Sequence, residues 1–381
     1  MEICRTYIPR NAIGALCALT LCCILIVGLW PFHSPRNHVH WLENQNGIRI
    51  DRHGTVVSSG HFQLATSDGP SCSLEMWLQP LSTWDKGTVL AFYNPVSGRR
   101  FSLQQHFTDL ILGREDEDEH RQSHFDIEEV FRRKQVLITV TSDGLGTAVY
   151  LDGNLIKRSS RFGLSLKDLA GILIVGTSPV QGYSWAGELR GLTIYKSKLT
   201  ADQVARHYQD WMQTGKPTVT KGDSTLALYP FDEHAGETIH NKVISGTNLY
   251  IPGRYLVVDQ AFLESPRKEF RRNGTQLNDV LINIAGFLPL GFLLCAYFTS
   301  VRQVKHGVWA VIALGAIVSF TIEVLQAYLP TRDSGLTDVM TNTLGTALGA
   351  GLYRIAASRI VRALTLKWSS HFDVPAAASR R

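Results

Sequence analysis

Four long apolar runs constrain the fold of this chain more than any other feature. They cover residues 11–31, 280–298, 308–329 and 339–360. A helix of about 20 apolar residues crosses the hydrocarbon core of a bilayer, where every backbone polar group needs a partner within the protein. The runs therefore predict four transmembrane helices, one near the N-terminus and three near the C-terminus, with a long polar segment between them.

The first run has two interpretations. Arg5 and Arg10 precede it, as basic residues precede the apolar part of a cleaved signal peptide. However, the run is long for a signal peptide, and no small-residue cleavage site follows it. We predict an uncleaved helix, with cleavage as the alternative.

Basic residues predict the orientation of the helices. They lie between the second and third runs, at the end of the fourth run and after it: Arg302, Lys305, Arg354, Arg359, Arg362 and Lys367. The positive-inside rule places these regions in the cytoplasm with the N-terminus, and residues 32–275 on the extracytoplasmic side. A second basic cluster breaks the rule, because it falls on the predicted outer side: Arg267, Lys268, Arg271 and Arg272. Lipid headgroups or anionic envelope polymer would be its partners there.

Composition excludes several classes of protein. The net charge of +5 is modest for 381 residues, and no helix-turn-helix or zinc-finger spacing accompanies the basic residues, so we expect no nucleic-acid partner. Of the 6 cysteines, only Cys72 lies in the central polar segment. We therefore expect neither a disulfide framework nor a zinc site there, and we assign no cofactor.

The central segment has the pattern of a β protein. Between residues 40 and 211, apolar and polar residues alternate in short stretches separated by turns. The DG dipeptide of LDGN, residues 151–154, is a strong hairpin signal. The stretch LTADQVARHYQDW then has helical spacing, and Thr200 and Gln203 form a predicted capping box at its start. Many short strands with Gly-rich turns indicate a sandwich.

The stretches SLEMWLQP, VLITVTSDGLGTAVYLDGNLIKR and WAGELRGLTIYKSKLTADQVARHY resemble the concanavalin A-like, laminin G-like family in order and spacing. LALYPFDEHAGETIHN, residues 226–241, resembles a further strand of that family and is expected to close the sandwich at an edge. Trp77 and Trp185 lie in strand patterns and are expected in the core. We predict a multidomain chain: an all-β concanavalin A-like jelly-roll sandwich plus an α-helical transmembrane bundle.

This fold occurs in lectins, adhesion modules and glucanases, so it does not give the function by itself. Retaining glucanases of the family carry E-x-D-x-x-E on one strand, a pattern that the acidic run of residues 114–129 lacks. We interpret the run as a solvated loop. Calcium at Asp116 or Asp118 is supported by no loop motif, and His120 and His124 are interpreted as loop residues rather than metal ligands.

Polar residues recur inside the three C-terminal runs at the spacing i, i+4, i+7, which puts each set on one helix face. The sets are Asp279, Asn283 and Gly286; Ser319, Glu323 and Gln326; and Asp338, Asn342 and Gly345. A carboxylate inside a bilayer costs roughly 2.5–3.5 kcal/mol, so we predict that these groups face one another. Asp279, Glu323, Arg332 and Asp338 are expected to converge near the outer end of the helices, with Arg332 paired to Glu323 or Asp338.

Two interpretations of this polar set stay open. It is either a structural clamp between helices, or a site for an anionic or lipid-linked ligand. Glu323 and Asp338 are the candidates for catalytic groups if a reaction occurs there, although we do not assign one and favour a non-enzymatic protein.

The stretches NDVLINIAGFLPLGFLL and SFTIEVLQAYLPTRDSGLTDVMTNTLGTALG resemble the VanZ family. They contain its elements D-x-x-x-N-x-x-x-F-x-P-L-G, S-x-x-x-E-x-x-Q and R-x-x-x-x-x-D-x-x-x-N-T-x-G in order, between residues 279 and 349. The resemblance implies a multi-pass protein of the bacterial cytoplasmic membrane and a role in the cell envelope, with glycopeptide-antibiotic sensitivity or polysaccharide handling as the expected context. It implies no reaction, and the large insert departs from the minimal family.

The predicted organisation has five parts. An N-terminal helix covers residues 1–31, the extracytoplasmic sandwich 36–253, a basic linker 254–278, the VanZ-like helices 279–361 and a cytoplasmic tail 362–381. The expected partners are membrane lipid and a glycan or envelope polymer. Three functions compete: a non-enzymatic envelope protein, an intramembrane enzyme acting on a lipid-linked phosphate, and an adhesion module whose helices serve only as an anchor.

The orientation is testable with a reporter enzyme that is active only in the cytoplasm. Fused after Lys216, the reporter is expected to be silent, because the flanking charges place this position outside. The same reporter fused after Arg302 is the control and is expected to be active. Activity at Lys216 and silence at Arg302 would reverse the predicted topology.

Overall fold

The computed structural model describes residues 10–62, 69–116, 121–132, 135–180, 184–217, 224–243, 246–267 and 277–369. The chain divides into two compact units. One is a β-sandwich formed by Ser34–Gln260, and the other is a helical unit formed by Met1–His33 together with Ala261–Arg381. Some predictions concern residues outside the described ranges: Arg5, Asp118, His120, Lys268, Arg271, Arg272 and residues 370–381 of the tail.

Both sheets of the sandwich are antiparallel, and each has eight strands within the described residues. The strands of the first sheet are β1 Val39–Trp41, β2 Ile48–Ile50, β4 Cys72–Pro80, β9 Val136–Asp143, β10 Gly146–Leu151, β11 Asn154–Ser159, β13 Gly187–Tyr195 and β14 Thr225–Tyr229. Those of the second sheet are β3 Val56–Ser58, β5 Lys86–Asn94, β6 Arg99–His106, β7 Asp109–Asp116, β8 Arg121–Ile127, β12 Ile172–Val175, β15 Thr238–Ile239 and β16 Leu249–Tyr250.

The strand order shows how distant segments close the sandwich. The first sheet runs β1-β2-β13-β4-β9-β10-β11, and β14 pairs with the C-terminal half of β13. The second runs β15-β16-β3-β12-β5-β6-β7-β8. The segment that follows the helix Ala201–Thr214 therefore supplies β14 to the first sheet and β15 and β16 to the second. It closes the sandwich, as the sequence predicted.

Both predicted core tryptophans are buried, but only Trp185 lies between the two sheets. Trp185 is fully buried, and its indole nitrogen donates to the side-chain oxygen of Gln105 at 2.8 Å. Trp77 points to the other side of the first sheet and packs against Trp211 of α2, Ala201–Thr214. Thr200 and Gln203 form the predicted capping box of this helix.

The interpretation of the acidic run as a loop was wrong for most of its described residues. Residues up to Asp116 belong to β7, and Arg121–Ile127 form β8, which pairs with β7. Arg99 and Arg100 on β6 form ion pairs with Asp116 and Glu115, the first at 2.6 Å. These cross-strand pairs of opposite charge favour strand pairing in this stretch.

The sandwich begins and ends at neighbouring positions. The amide of Tyr255 donates to the carbonyl of Pro35 at 3.0 Å, and Arg36 and Arg254 form an isolated antiparallel bridge. Residues 254–260 of the predicted linker thus belong to the sandwich unit. A domain whose ends meet can be inserted into another chain without separating the segments on either side.

The described part of the helical unit contains four long helices. They are α1 Arg10–Leu29, α3 Leu277–Ala296, α4 Gly307–Gln326 and α5 Leu336–Ser369, and a π-helical turn, Tyr297–Val301, extends α3. Three helical segments in the described chain are long and apolar enough to cross a membrane: Asn11–Leu29, Leu277–Thr299 and Gly307–Gln326. The fourth predicted span, within α5, is less apolar because Gly, Thr and Asn occupy much of its sequence, so its crossing stays a prediction.

Small residues let α5 approach its neighbours closely. A Cβ atom on Gly345 would overlap the main-chain carbonyl of Ile284 on α3, and one on Gly349 would overlap that of Leu288. A Cβ on Gly315 of α4 would overlap the side chain of Thr346. Close approach of this kind is the usual basis of helix association in a bilayer, where lipid competes equally for apolar surface.

The packing predicts opposite effects for two neighbouring glycines. Gly349→Ala should destabilise the helical unit by about 1–3 kcal/mol, because α3 has to move away from the new methyl group. Gly351→Ala should be neutral or slightly stabilising, because nothing lies within 4 Å of its Cβ position and alanine favours the helix. Thermal unfolding of the full-length variants in detergent measures both, and equal midpoints would contradict the close α3–α5 contact.

Candidate polar site in the helical unit

Two side-chain pairs join α5 to its neighbours. The amide nitrogen of Asn283 on α3 donates to Asp338 at 2.7 Å, and that of Asn342 donates to Ser319 on α4 at 2.9 Å. Ser319 and Asn342 are buried, whereas Asn283 and Asp338 are partly buried. Each pair satisfies polar groups that lipid would leave without partners.

Glu323 is buried between the end of α4 and the start of α5, with 1% of its surface exposed. Its Oε2 accepts the amide hydrogen of Gly335 at 2.9 Å, immediately before α5 begins. The hydroxyl of Ser334 donates to the main-chain carbonyl of Glu323 at 2.8 Å. The carboxylate thus lies at a helix N-terminus, where the unpaired N–H groups and the helix dipole stabilise negative charge.

Side chains from the C-terminal part of the chain donate hydrogen bonds to main-chain carbonyls at the C-terminal end of α1. Gln326 donates to the carbonyl of Gly28 at 2.8 Å, and Arg332 donates through Nη2 to the carbonyl of Val27 at 3.1 Å. The Nε of Arg332 also donates to the carbonyl of Trp30 at 2.9 Å. Carbonyls in the last turn of a helix have no partner within the helix, and a cation there is favourable.

The segment around Leu263 and Glu264 forms hydrogen bonds with residues at the start of α5. The amide of Leu263 donates to Oγ of Ser334 at 3.2 Å, and the amide of Leu336 donates to the carbonyl of Glu264 at 3.0 Å. Leu336 is the first residue of α5, so the carbonyl of Glu264 satisfies one of the N–H groups that every helix leaves free. The loop between α4 and α5 is therefore bound both by Glu323 of α4 and by the segment around Glu264.

The structure distributes the eight predicted site residues over several contacts. Asn283 with Asp338, Ser319 with Asn342, and Gln326 with the end of α1 are brought together as described above. Asp279 is exposed at the start of α3 and shares no described hydrogen bond or ion pair with Glu323, Arg332 or Asp338. The expected pairing of Arg332 with Glu323 or Asp338 was wrong for the described structure, because its guanidinium binds main-chain carbonyls instead.

Sequence reasoning missed the main-chain partners and Ser334. Spacing arguments compare side chains on regular helices, whereas Arg332, Ser334 and Gly335 act through the loop and bind carbonyl or amide groups that every residue carries. The unsatisfied end of α1 was the signal that could have led to them, since each helix end demands partners.

A second buried polar cluster lies in the sandwich, beneath α2. Glu75 on β4 accepts hydrogen bonds from Tyr195 at 2.7 Å and from Thr139 at 3.1 Å, and Nδ1 of His207 lies 2.9 Å from its Oε2. All four residues are at most 4% exposed. A substrate does not reach groups this deeply buried, so the cluster fastens α2 to the sheet rather than forming an active site.

The remaining groups give no sign of covalent or metal chemistry in the described residues. Burial raises the pKa of the Cys72 thiol to about 12, so the reactive thiolate is scarce at neutral pH. Asp116, one of the two calcium candidates, is bound by Arg99. The described residues contain no group of three or more His, Cys, Asp or Glu side chains that would hold a metal ion.

Two protein-family models match the chain. Residues 51–205 match the model described as concanavalin A-like lectin/glucanases superfamily, and residues 192–357 match the model described as VanZ/LLP1. The second match begins inside β13 and thus includes the last part of the sandwich. No curated protein gives a significant match. The chain is a membrane protein in which one segment matches the concanavalin A-like model and another matches the VanZ/LLP1 model.

Similar solved structures include the binding domain of botulinum neurotoxin serotype D, with 12% identity over 47% of this chain and 50% of that chain and a TM-score of 0.35. The receptor-binding domain of botulinum neurotoxin type G has 13% identity, coverage of 51% and 49%, and a TM-score of 0.34. The chain thus spans about half the length of these structures. Similarity this low carries no argument about a ligand.

The contact between α4 and α5 can be measured with a double-mutant cycle. Ser319→Ala and Asn342→Ala are expected to be coupled by about 0.6 kcal/mol and by no more than about 1.7 kcal/mol, the range found for hydrogen bonds between membrane helices. Ser319→Ala with Thr343→Ala is the matched control, because the Thr343 hydroxyl donates within its own helix. Unfolding of the full-length variants measures both cycles, and a coupling as small as that of the control would count against the Ser319–Asn342 bond.

Proposed function

We propose that the protein is a non-enzymatic cell-envelope protein of the bacterial cytoplasmic membrane. Its sandwich lies on the extracytoplasmic side and binds a glycan or envelope polymer, and its helical unit binds the anionic headgroup of a lipid-linked ligand. The concanavalin A-like match supports the first part, and the VanZ-like match supports the membrane context. Polysaccharide handling fits this combination, and an effect on glycopeptide sensitivity would follow from it indirectly.

One observation carries the proposal of an anionic ligand. Arg332 is held in place by two neutral carbonyls, and the described structure shows no carboxylate paired with its guanidinium. Its side chain is partly exposed, so the positive charge is fixed in position without being neutralised. A guanidinium offers five N–H donors and binds a phosphate at two points, which makes a phosphate or pyrophosphate headgroup the chemistry it suits.

The contacts of Glu323 argue against an intramembrane enzyme, so the second candidate function is a different one. A general base has to reach the proton it removes, whereas Glu323 is buried and accepts a main-chain hydrogen bond. The second candidate is an adhesion module whose helices act only as an anchor. It is favoured by the bonds of Asn283, Gln326 and Asn342, which join helices without leaving these residues directed at a ligand.

Binding of a polyprenyl monophosphate separates the two candidates. The probe is compared with the neutral polyprenol of the same chain length, using native mass spectrometry of the full-length protein. Arg332→Gln is expected to weaken binding of the monophosphate roughly 10- to 100-fold, because a hydrogen bond to a charged group contributes about 1.5–3 kcal/mol. Arg332→Lys should lie between Arg332→Gln and the parent, since it keeps the charge and loses the planar fork.

Arg302→Gln is the matched control. Arg302 also lies in a loop between helices, where it contacts the ring and hydroxyl of Tyr297. This variant should bind the monophosphate as the parent does, and no variant should change binding of polyprenol. The proposal would be contradicted if the parent protein bound the two lipids with equal affinity, or if Arg332→Gln bound the monophosphate as tightly as the parent. Either result would favour the adhesion module, whose helices act only as an anchor.

A further inference from the structure

A cleft in the sandwich unit lies between two loops that are far apart in sequence. One loop, residues 42–47, joins β1 to β2, and the other, residues 230–237, joins β14 to β15. The cleft has a volume of about 640 Å³ and is lined by Trp41, Leu42, Glu43, Asn44, Gln45, Asn46 and His234. Its volume is in the range of clefts that hold small ligands.

Hydrogen bonds fix the positions of both loops. The amide of Leu42 donates to the carbonyl of Gly47 at 3.0 Å, and the amide of Gly47 donates to the carbonyl of Phe231 in the other loop at 2.9 Å. The indole nitrogen of Trp41 donates to the carbonyl of Gly236 at 2.9 Å. These bonds hold the cleft open in one shape, so a ligand would not have to order it.

The polar side chains that line the cleft keep their hydrogen-bonding capacity. Within the described part of the chain, no side-chain hydrogen bond or ion pair is made by Glu43, Asn44, Gln45, Asn46 or His234. Each amide offers two N–H donors and one carbonyl acceptor. Three consecutive amide side chains therefore present paired donors and acceptors beside an aromatic ring.

This combination suits a sugar. A pyranose ring has an apolar face of C–H groups, which packs against an aromatic ring, and hydroxyls at its edge that donate and accept at once, as amides do. The charge of the lining narrows the class further. The seven lining residues include one carboxylate, that of Glu43, and no Lys or Arg. A sialylated or sulfated glycan would therefore find no Lys or Arg to pair with its negative charge.

We infer that this cleft is the glycan-binding site of the protein and that it takes a neutral sugar, a hexose or an N-acetylhexosamine unit of a longer polymer. The inference rests on the proposed function of the sandwich and adds the position of the site and the class of its ligand. It differs from a site at Trp84, which is 82% exposed and lies edge-on to Phe107, whose ring also contacts Lys86 of β5.

The test uses the full-length protein in a detergent without a sugar headgroup, because such headgroups would compete. The probe is an array of neutral hexose and N-acetylhexosamine oligosaccharides together with sialylated and sulfated ones. Asn44→Gly with Gln45→Ala removes two amides and preserves the fold, because Asn44 has a φ of 60° that glycine adopts readily and Gln45 is exposed. This double variant is expected to bind neutral glycans at least about tenfold more weakly.

Two control variants separate the inference from the function on which it rests. Gln213→Ala removes an exposed amide from α2, and Trp84→Ala removes the exposed aromatic outside the cleft. Both should bind as the parent does. Undiminished binding by the double variant, with or without loss in Trp84→Ala, would overturn the cleft assignment and leave the glycan function intact. Binding of sialylated or sulfated glycans alone would overturn the predicted ligand class. Absence of binding to every glycan would contradict the glycan function and the inference together.

Discussion

The end of α1 depends on partners from the far end of the chain. In an apolar environment, each carbonyl of its last turn needs a hydrogen-bond donor, and the chain supplies donors from three places. The amides of Trp30 and Phe32 bind the carbonyls of Ile26 and Leu29, while Gln326 and Arg332 bind those of Gly28 and Val27. Two of the polar residues that are costly beside lipid, Gln326 and Arg332, therefore supply donors to the end of a helix about 300 positions away in sequence.

The same requirement organises the rest of the helical unit. Glu323 and the segment around Glu264 satisfy N–H groups at the start of α5, while the side-chain nitrogen of Asn342 donates to Ser319. The glycines of α5 at its contact with α3 have no side chains, so the two helices approach closely enough for polar groups to meet. Arg332 is a cation whose described partners, the carbonyls of Val27 and Trp30, carry no full charge, which is why we assign it to an anionic ligand.

The sequence predicted the elements better than the contacts. Alternation, the Thr200 capping box and the LDGN turn led to the correct sandwich, because each is a local signal whose cause lies within a few residues. Strand β8 was missed, because its partner β7 lies outside any local pattern, and β7 in turn forms ion pairs with β6. Glu75 occupies a strand position that normally faces solvent, and only the docking of α2 over the sheet makes it buried. The cleft likewise needs two loops that tertiary structure alone brings together.

The central claim is that Arg332 carries a fixed and unneutralised charge for an anionic headgroup. An experimental structure of the full-length protein in a lipid bilayer containing polyprenyl monophosphate tests it most directly. The claim predicts a phosphate within hydrogen-bond distance of the Arg332 guanidinium, while its Nε keeps the contact with the carbonyl of Trp30. An Arg332 side chain paired with Glu323 or Asp338, with no phosphate beside it, would contradict the claim.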